Sequence, residues 1–349
     1  MIEIDWAGEA GRLRASAEGE TDWNAAVARS LVRDGDKVLA DVGCGGGGMA
    51  KALAEALREA LPGAPSEALP EATPEALPEA TPEAPSEALS GASAGALRGA
   101  TVVAIDADPD VLEQAREHTA GLVRCELASM DDGAEPLRRA IAAPADLIWA
   151  SASVHHAADQ QAAVDALASL LAPGGRLALA EGGLPARHLP WDLGIGEPGL
   201  ELRLDLAQDR WFKVMRDSLP GSVPMPYGWT EALTRAGLTG ATTRSVLTET
   251  PAPLSPERLD GVVQGFRTRI ERLTGGDSGH GHGHGHGHGH GHGHGHGHGH
   301  VVTDEEWLTP DDVEVWRQLL DPDEPHYLGR RSDLAVLSVR SVHLGHAPR

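Results

Sequence analysis

A glycine-rich run from Asp41 to Gly48, with the sequence DVGCGGGG, has the residue types and spacing of a ligand-binding turn. It lies between an apolar segment, 37–42, that predicts a strand and an Ala/Leu/Glu-rich segment, 49–61, that predicts a helix. Glycines permit a tight turn and let a ligand approach the backbone without interference from a Cβ atom. The free N–H groups at the start of the following helix favour an anionic group such as a carboxylate. The run therefore predicts a site for a small ligand.

Two glycine patterns overlap in this run. Gly43-x-Gly45-x-x-Gly48 satisfies the dinucleotide-binding fingerprint. Asp41-x-Gly43-x-Gly45-x-Gly47 equally satisfies the first motif of class I methyltransferases. The glycines alone do not decide between them. Asp41, two residues before the first glycine, is placed where a buried acid suits a ligand that carries a cationic ammonium and a sulfonium.

A second acid, Asp106, ends the predicted strand 101–106, where it can accept hydrogen bonds from ribose hydroxyls. Gly47 and Asp106 are 59 positions apart, and 21 once the segment 61–98 is set aside. A spacing of about 20 is expected for a β-α-β unit of this kind. We therefore interpret 61–98 as an insertion into a loop. The alternative for Asp106 is a helix-capping role.

Strand and helix patterns alternate from residue 101 to residue 180, which predicts a parallel sheet with helices on both faces. The further strands are predicted at 121–127, 146–150 and 176–180, and the helices at 110–118, 135–141 and 159–171. Residues 182–228 show no regular pattern. The closing part predicts helices at 230–236, 255–273 and 303–320, and strands at 240–248 and 333–343.

Taken in order, these features resemble the class I, Rossmann-like, S-adenosylmethionine-dependent methyltransferases, especially bacterial ones acting on small molecules, over about residues 35–182. The resemblance implies an α/β fold with a doubly wound, seven-stranded, mostly parallel sheet that ends in an antiparallel strand pair. It implies S-adenosylmethionine as cofactor. The implied cofactor-binding residues are Asp41, Gly43, Gly45 and Gly47 for the methionine part, Asp106 for the ribose, and Glu126 with Leu127 beside the adenine. Because the family's usual residue at the adenine is Asp, Glu126 departs from the pattern.

The resemblance also divides the chain into regions. We expect an N-terminal helical lid segment at 1–36, a cofactor-binding core at 37–182, a substrate lid region at 183–229, and a C-terminal part at 230–349 that completes the sheet.

The residues after the fourth predicted strand bear on the methyl acceptor. No Asn/Asp-Pro-Pro-Tyr/Phe motif follows that strand, so base amines and glutamine are disfavoured acceptors. The pair His155-His156 stands there instead, as in many small-molecule methyltransferases. Either imidazole could act as a general base, since it titrates near neutrality, or could serve a structural role. We expect a small organic acceptor, methylated at O, N or C.

Four aromatic residues between the predicted core and the closing part could wall an apolar acceptor pocket, although core packing explains them nearly as well. They are Trp191, Trp211, Tyr227 and Trp229.

Two low-complexity segments are predicted to be disordered inserts. Residues 62–98 hold a Pro-Glu-Ala-Leu/Thr repeat over 62–90, where a proline at every fourth position prevents a helix. Residues 279–300 alternate Gly with His and contain 11 of the 18 histidines. Flexible imidazoles chelate transition metals adventitiously, so this repeat predicts no catalytic metal site.

Composition limits the function classes and the partners. A formal net charge of −23 disfavours nucleic acid as a partner, and no run of 18 or more apolar residues predicts a membrane span. Two distant cysteines and an acidic N-terminus without a signal-peptide pattern predict a reducing, cytoplasmic setting. Two alternatives stay open: an NAD(P)-dependent oxidoreductase, although the chain lacks a Tyr-x-x-x-Lys signature, and a non-catalytic S-adenosylmethionine-binding module.

Overall fold

The computed structural model describes residues 11, 13, 14, 17, 19–60, 99–274 and 307–349. The two predicted inserts, 62–98 and 279–300, lie wholly outside the described residues, so their predicted disorder stays a prediction.

Seven strands form one sheet in the order β3-β2-β1-β4-β5-β7-β6. Strands β1 to β5 are parallel, whereas β7 is antiparallel to both β5 and β6. The strands are β1 (Val38–Val42), β2 (Thr101–Asp106), β3 (Arg124–Leu127), β4 (Ala145–Ser151), β5 (Leu171–Arg187), β6 (Thr239–Thr250) and β7 (Val336–His346). The predicted seven-stranded α/β sheet with its closing antiparallel pair is confirmed.

Nine helices are described over their full length. They are α1 (Thr21–Leu31), α2 (Gly48–Ala60), α3 (Pro109–Thr119), α4 (Ala134–Ile141), α5 (Gln160–Ala168), α6 (Leu200–Asp217), α7 (Trp229–Arg235), α8 (Pro256–Thr274) and α9 (Pro310–Leu320). Short 3₁₀ turns occur at Val154–His156 and Leu328–Arg330. No helix among the described residues is long and apolar enough to cross a bilayer.

The central strands are apolar on both faces because helices cover both sides of the sheet. One face packs against α4, α5 and α7, and the other against α1 and α2. Register places Val42 of β1 beside Ile105 of β2, and Asp41 beside Trp149 of β4. The carboxyl ends of β1, β2 and β4 therefore meet at one edge of the sheet.

A separate apolar cluster joins α6, α8 and α9, with Trp211, Phe266 and Trp316 at its centre. The expectation of irregular structure over 182–228 is wrong in two places: β5 continues to Arg187, and α6 is a helix of 18 residues. The helix forms because its buried residues recur at helical spacing and give it one apolar face. Those residues include Leu200, Leu204, Ala207, Trp211 and Met215.

Candidate functional site

A cavity of about 590 Å³ opens at the carboxyl ends of β1, β2 and β4. Ligands of open α/β sheets bind in this crevice, outside the ends of the strands. Its wall includes the glycine-rich run, the residues after β2, β3 and β4, part of the N-terminal segment, and two residues of β7.

The glycine-rich run makes a turn that other residues would not fit. Gly43, Gly45 and Gly47 have φ values of 69°, 51° and 78°, in the left-handed region that favours glycine. A Cβ added to Gly43 would lie 2.4 Å from the Cβ of Ser153, which closes that position to any side chain. At Gly45 the nearest atom to an added Cβ is Leu13 Cδ2, at 3.9 Å.

Asp106 lies beside this turn and is held by backbone amides. Its Oδ2 accepts a hydrogen bond from the Gly45 amide at 3.0 Å, and its Oδ1 accepts one from the Asp108 amide at 3.1 Å. Burial raises the pKa of Asp106 above its ordinary value, although these amides lower it in part. The helix-capping role belongs to Asp108 instead, since Asp108 Oδ1 accepts from the amides of Asp110 and Val111 at the start of α3.

Asp41 is the most deeply buried acid of the cavity wall, with 1% of its surface exposed. Its Oδ2 has no hydrogen-bond partner among the described residues. Burial raises the pKa of Asp41 to about 7, an effect that the Ala50 amide lowers and the charge of Asp106 increases. The indole N–H of Trp149, a neighbouring wall residue, likewise has no partner in the described part of the chain. The wall residues of the cavity thus include one buried acceptor and one buried donor that no described protein group satisfies.

The structure does not bring Glu126 and Leu127 to the cavity wall. Glu126 Oε1 lies 3.5 Å from Arg124 Nη1, and Leu127 is 60% exposed. The wall is formed instead by the next residues of the chain, 128–131, which include Ser129 and Asp131. These two positions were missed because the strand pattern does not show where β3 ends.

The two histidines after β4 have different surroundings. His156 lines the cavity, and burial, with the nearby charges of His155 and two arginines, lowers the pKa of His156 to about 3. His155 is not part of the described wall. Its Nδ1 lies 2.7 Å from Oε2 of the buried Glu181, whose Oε1 accepts hydrogen bonds from the amides of Ser153 and Val154.

Arg216 of α6 holds the same turn from the other side. Its Nη1 donates to the carbonyl oxygens of His155 at 2.7 Å and Ala157 at 2.5 Å, and its Nη2 donates to that of Ala158 at 3.2 Å. Glu181 and Arg216 therefore fix the backbone that carries both histidines. Neither residue belongs to a recognisable sequence motif.

The four aromatic residues predicted to wall an acceptor pocket are absent from the described wall of this cavity. Trp191 is 69% exposed, and Trp211 belongs to the helical cluster of α6. The Tyr227 hydroxyl donates to Gln161 Oε1 at 3.0 Å, and Trp229 packs against the main core. Core packing and surface positions explain these side chains.

Described residues of the N-terminal segment form part of the cavity wall. Leu13, Glu20 and Trp23 are among its wall residues, and a Cβ added to Gly46 would lie 2.6 Å from the carbonyl oxygen of Leu13. Arg340 of β7 joins the wall, and its Nη2 donates to Glu20 Oε1 at 2.6 Å. The guanidinium carbon of Arg340 also lies 4.7 Å from the centre of the Trp23 ring. These contacts are remote in sequence.

Within the described ranges, no group of three or more His, Cys, Asp or Glu residues is arranged to hold a metal ion. The Gly-His repeat lies outside those ranges, and its metal binding stays a prediction.

Comparison with known proteins gives one family match and several similar structures. Residues 88–177, about a quarter of the chain, match the model of a methyltransferase domain family. No protein of curated function matches the chain.

Among solved structures, a candidate methyltransferase from Bacillus halodurans C-125 is 12% identical, with a TM-score of 0.45; the alignment covers 93% of this chain and 99% of that one. Phosphoethanolamine N-methyltransferase 2 of Haemonchus contortus, in complex with S-adenosyl-L-methionine, is 12% identical with a TM-score of 0.40, over 94% of this chain and 53% of that one. This chain therefore spans about half of the Haemonchus protein. An amino pentose methyltransferase of Micromonospora echinaspora is 20% identical with a TM-score of 0.31, over 54% and 64% of the two chains.

Proposed function

We propose that this chain, a class I, S-adenosylmethionine-dependent methyltransferase by its strand order and its family match, transfers a methyl group to a small organic acceptor at O, N or C by in-line displacement. When bound, S-adenosylmethionine supplies a methyl group on a positively charged sulfur. The antiparallel β7 between β5 and β6 differs from the strand order 3-2-1-4-5-6 of dinucleotide-binding sheets. This difference weighs against the oxidoreductase alternative.

The observation that carries the proposal is the buried Oδ2 of Asp41, which has no partner among the described residues. A buried polar atom without a partner is costly, so such an atom at a cavity wall favours a ligand that satisfies it. The amino-acid end of S-adenosylmethionine carries an ammonium group that Asp41 can bind. It also carries a carboxylate that can accept from the Trp149 indole N–H. The hydrogen-bond acceptor and donor of the cavity wall therefore fit the amino-acid end of the cofactor.

The rest of the cofactor fits the neighbouring wall. Gly45 leaves the backbone open to close approach, and Asp106 retains lone pairs that can accept hydrogen bonds from ribose hydroxyls. We assign the adenine side to Ser129 and Asp131, since these residues line the cavity after β3 and Glu126 does not.

The acceptor belongs at the carboxyl ends of β4 and β5, on the other side of the turn that carries the histidines. There the chain's task is to hold the acceptor's nucleophilic atom in line with the methyl group and to exclude water. The described N-terminal residues support this role, because Leu13 lies against the glycine-rich turn, and Leu13, Glu20 and Trp23 line the cavity. A cavity of about 590 Å³ suits a small molecule. Both cysteines are unpaired, which supports a reducing compartment such as the cytoplasm.

Calorimetric titration with S-adenosylmethionine, S-adenosylhomocysteine and NADH tests this proposal. We expect the first two to bind with a Kd on the order of micromolar and NADH not to bind. Asp106→Ala should weaken cofactor binding by about 100-fold, since it removes a charged hydrogen-bond acceptor. Asp110→Ala, an exposed acid at the start of α3, is the matched control and should bind as the natural chain does. Binding of NADH alone would overturn the proposal.

A further inference from the structure

We propose that Arg340 binds an anionic oxygen group, a carboxylate or a phosphate, of the methyl acceptor, and that Glu20 occupies the guanidinium until the acceptor arrives. This inference rests on the proposed methyl transfer and adds the chemical class of the acceptor. It is carried by the position of Arg340, by the charges of the cavity wall, and by the hydrogen bonds that its guanidinium makes.

Arg340 lies on a different part of the sheet from Asp41 and Asp106, the two acids on what we call the cofactor side of the cavity. Asp41 and Asp106 stand on β1 and β2, whereas Arg340 stands on β7, where it pairs with Gly183 of β5. Strand β4, with the histidine turn at its end, lies between these two sides in the sheet order. A methyl group transferred across the end of β4 would therefore pass from the side of Asp41 to the side of Arg340.

The described cavity wall carries one positively charged side chain that an anionic acceptor can meet. Arg340 is the single arginine or lysine among the described wall residues. The carboxylates of the wall are Glu20, Asp41, Asp106, Asp108 and Asp131. Most of these acids lie on the cofactor side, where they repel an anionic acceptor. An acceptor with a carboxylate or phosphate is consequently oriented with that group toward Arg340.

The guanidinium has hydrogen-bonding capacity beyond its contact with Glu20. A guanidinium carries five N–H donors, and within the described residues one hydrogen bond joins Arg340 to a protein acceptor, at Glu20 Oε1. The guanidinium carbon lies over the Trp23 ring, a contact that helps to hold the guanidinium in place, and the free N–H groups can bind a carboxylate or phosphate through two oxygens.

Glu20 is a weak competitor for this position. About one third of each side chain, 33% for Arg340 and 33% for Glu20, is exposed, so their ion pair is partly screened by solvent. Glu20 directly precedes α1, and Trp23 lies within it. Displacement of Glu20 by the acceptor therefore releases one contact between the start of α1 and β7.

The test is a calorimetric titration of the full chain saturated with S-adenosylhomocysteine. The probes are benzoate and phenyl phosphate, with benzamide as a neutral analogue. We expect at least one anion to bind about tenfold or more tightly than benzamide, and the stronger of the two identifies the acceptor's anionic group as carboxylate or phosphate. Arg340→Gln should remove this preference, and Glu20→Gln should increase it, because it frees the guanidinium.

Arg244→Gln is the matched control, because Arg244 is exposed on the neighbouring strand β6 and is absent from the described cavity wall. This variant should show the natural preference. Equal binding of the anions and benzamide by Glu20→Gln would overturn the inference, as would an anion preference that survives in Arg340→Gln. Failure of S-adenosylhomocysteine to bind the natural chain would instead overturn the proposed methyl transfer, so the two failures are distinguishable.

Discussion

Asp41 and Asp106 line the same cavity, but their carboxylates differ in their hydrogen-bond partners. Asp106 is held by the amides of Gly45 and Asp108, whereas one oxygen of Asp41 has no partner among the described residues. Burial therefore raises the pKa of Asp41 to about 7, into the range where pH controls its charge. A carboxyl in this state releases its proton when a cationic ammonium group binds beside it.

Opposite pH effects on stability and on binding follow from this pKa. The raised pKa of Asp41 stabilises the cofactor-free fold at low pH, and this stabilisation is lost as the pH rises through about 7. The ammonium group prefers the ionised carboxylate, so the affinity for S-adenosylhomocysteine should increase by about tenfold from pH 6 to pH 8. Thermal unfolding without cofactor and calorimetry with it, at both pH values, measure the two effects.

Asp41→Asn is the variant that isolates this residue, since it keeps the shape and removes the titration. It should flatten both pH dependences. If the affinity of Asp41→Asn still increases about tenfold between pH 6 and pH 8, another group is responsible and the assignment of Asp41 to the ammonium is wrong.

The positions of the acids near the glycine-rich run could be predicted, because each acid follows from a local strand pattern in the sequence. Asp41 and Asp106 end adjacent parallel strands, and strand ends meet at one edge of a sheet. Glu126 and Leu127 are predicted beside the adenine, but they end the short strand β3, and the described cavity wall begins one residue beyond it. Trp23 and Arg340 could not be found from sequence, since their contact joins residues more than 300 positions apart and has no local signature.

At the scale of elements, the turn after β4 is held by side chains from two other elements. Glu181 of β5 accepts from two of its amides, and Arg216 of α6 donates to its carbonyl oxygens. The turn thus connects the sheet with the cluster of α6, α8 and α9. A movement of that cluster would shift both histidines together.

The surroundings of the two histidines predict positioning roles for both. Because burial lowers the pKa of His156 to about 3, His156 is neutral and a weak base at neutral pH, and we expect it to orient the acceptor and not to take its proton. Once an acceptor is identified, His156→Ala should lower kcat at saturating cofactor by about tenfold, because the acceptor is less well oriented. The shape of the pH profile of kcat should not change. Loss of an ionisation from that profile would instead make His156 the base.

His155→Ala provides the comparison, because His155 contacts Glu181 and is not part of the described wall. We expect it to lower the melting temperature more than the turnover. A larger fall in kcat than that of His156→Ala would contradict these assignments.

Among the elements, α6 shows what sequence patterns miss. Its apolar residues recur at helical spacing, but charged residues interrupt them, and prolines and glycines on both sides favoured an irregular interpretation. The helix is stabilised by tertiary contacts with α8 and α9, which no local window contains. The core strands were predictable because burial on both faces makes them continuously apolar.

For the whole molecule, the fold implies that the two low-complexity segments are dispensable. The described core closes on both sides of them: β1 pairs with β2 across the first, and α8 packs with α9 across the second. Replacing 62–90 and 279–300 with short linkers should change the melting temperature by less than about 3 °C, because long surface loops cost little closure entropy. Thermal unfolding and the affinity for S-adenosylhomocysteine measure this.

Removal of each segment separately serves as the control for the double deletion. A fall in melting temperature of about 10 °C or more on either deletion would show that the segment packs against the core and that its interpretation as an insert is wrong.

The place of β7 between β5 and β6 has a consequence for biosynthesis. The ribosome makes β6 about 90 residues before β7, yet β7 is the only described neighbour of β6 in the sheet. During translation, the residues of β6 therefore have no neighbouring strand in the sheet until residues 336–346 leave the exit tunnel. The same late segment carries Arg340, so the nascent chain can form its glycine-rich turn well before the opposite wall of the cavity exists.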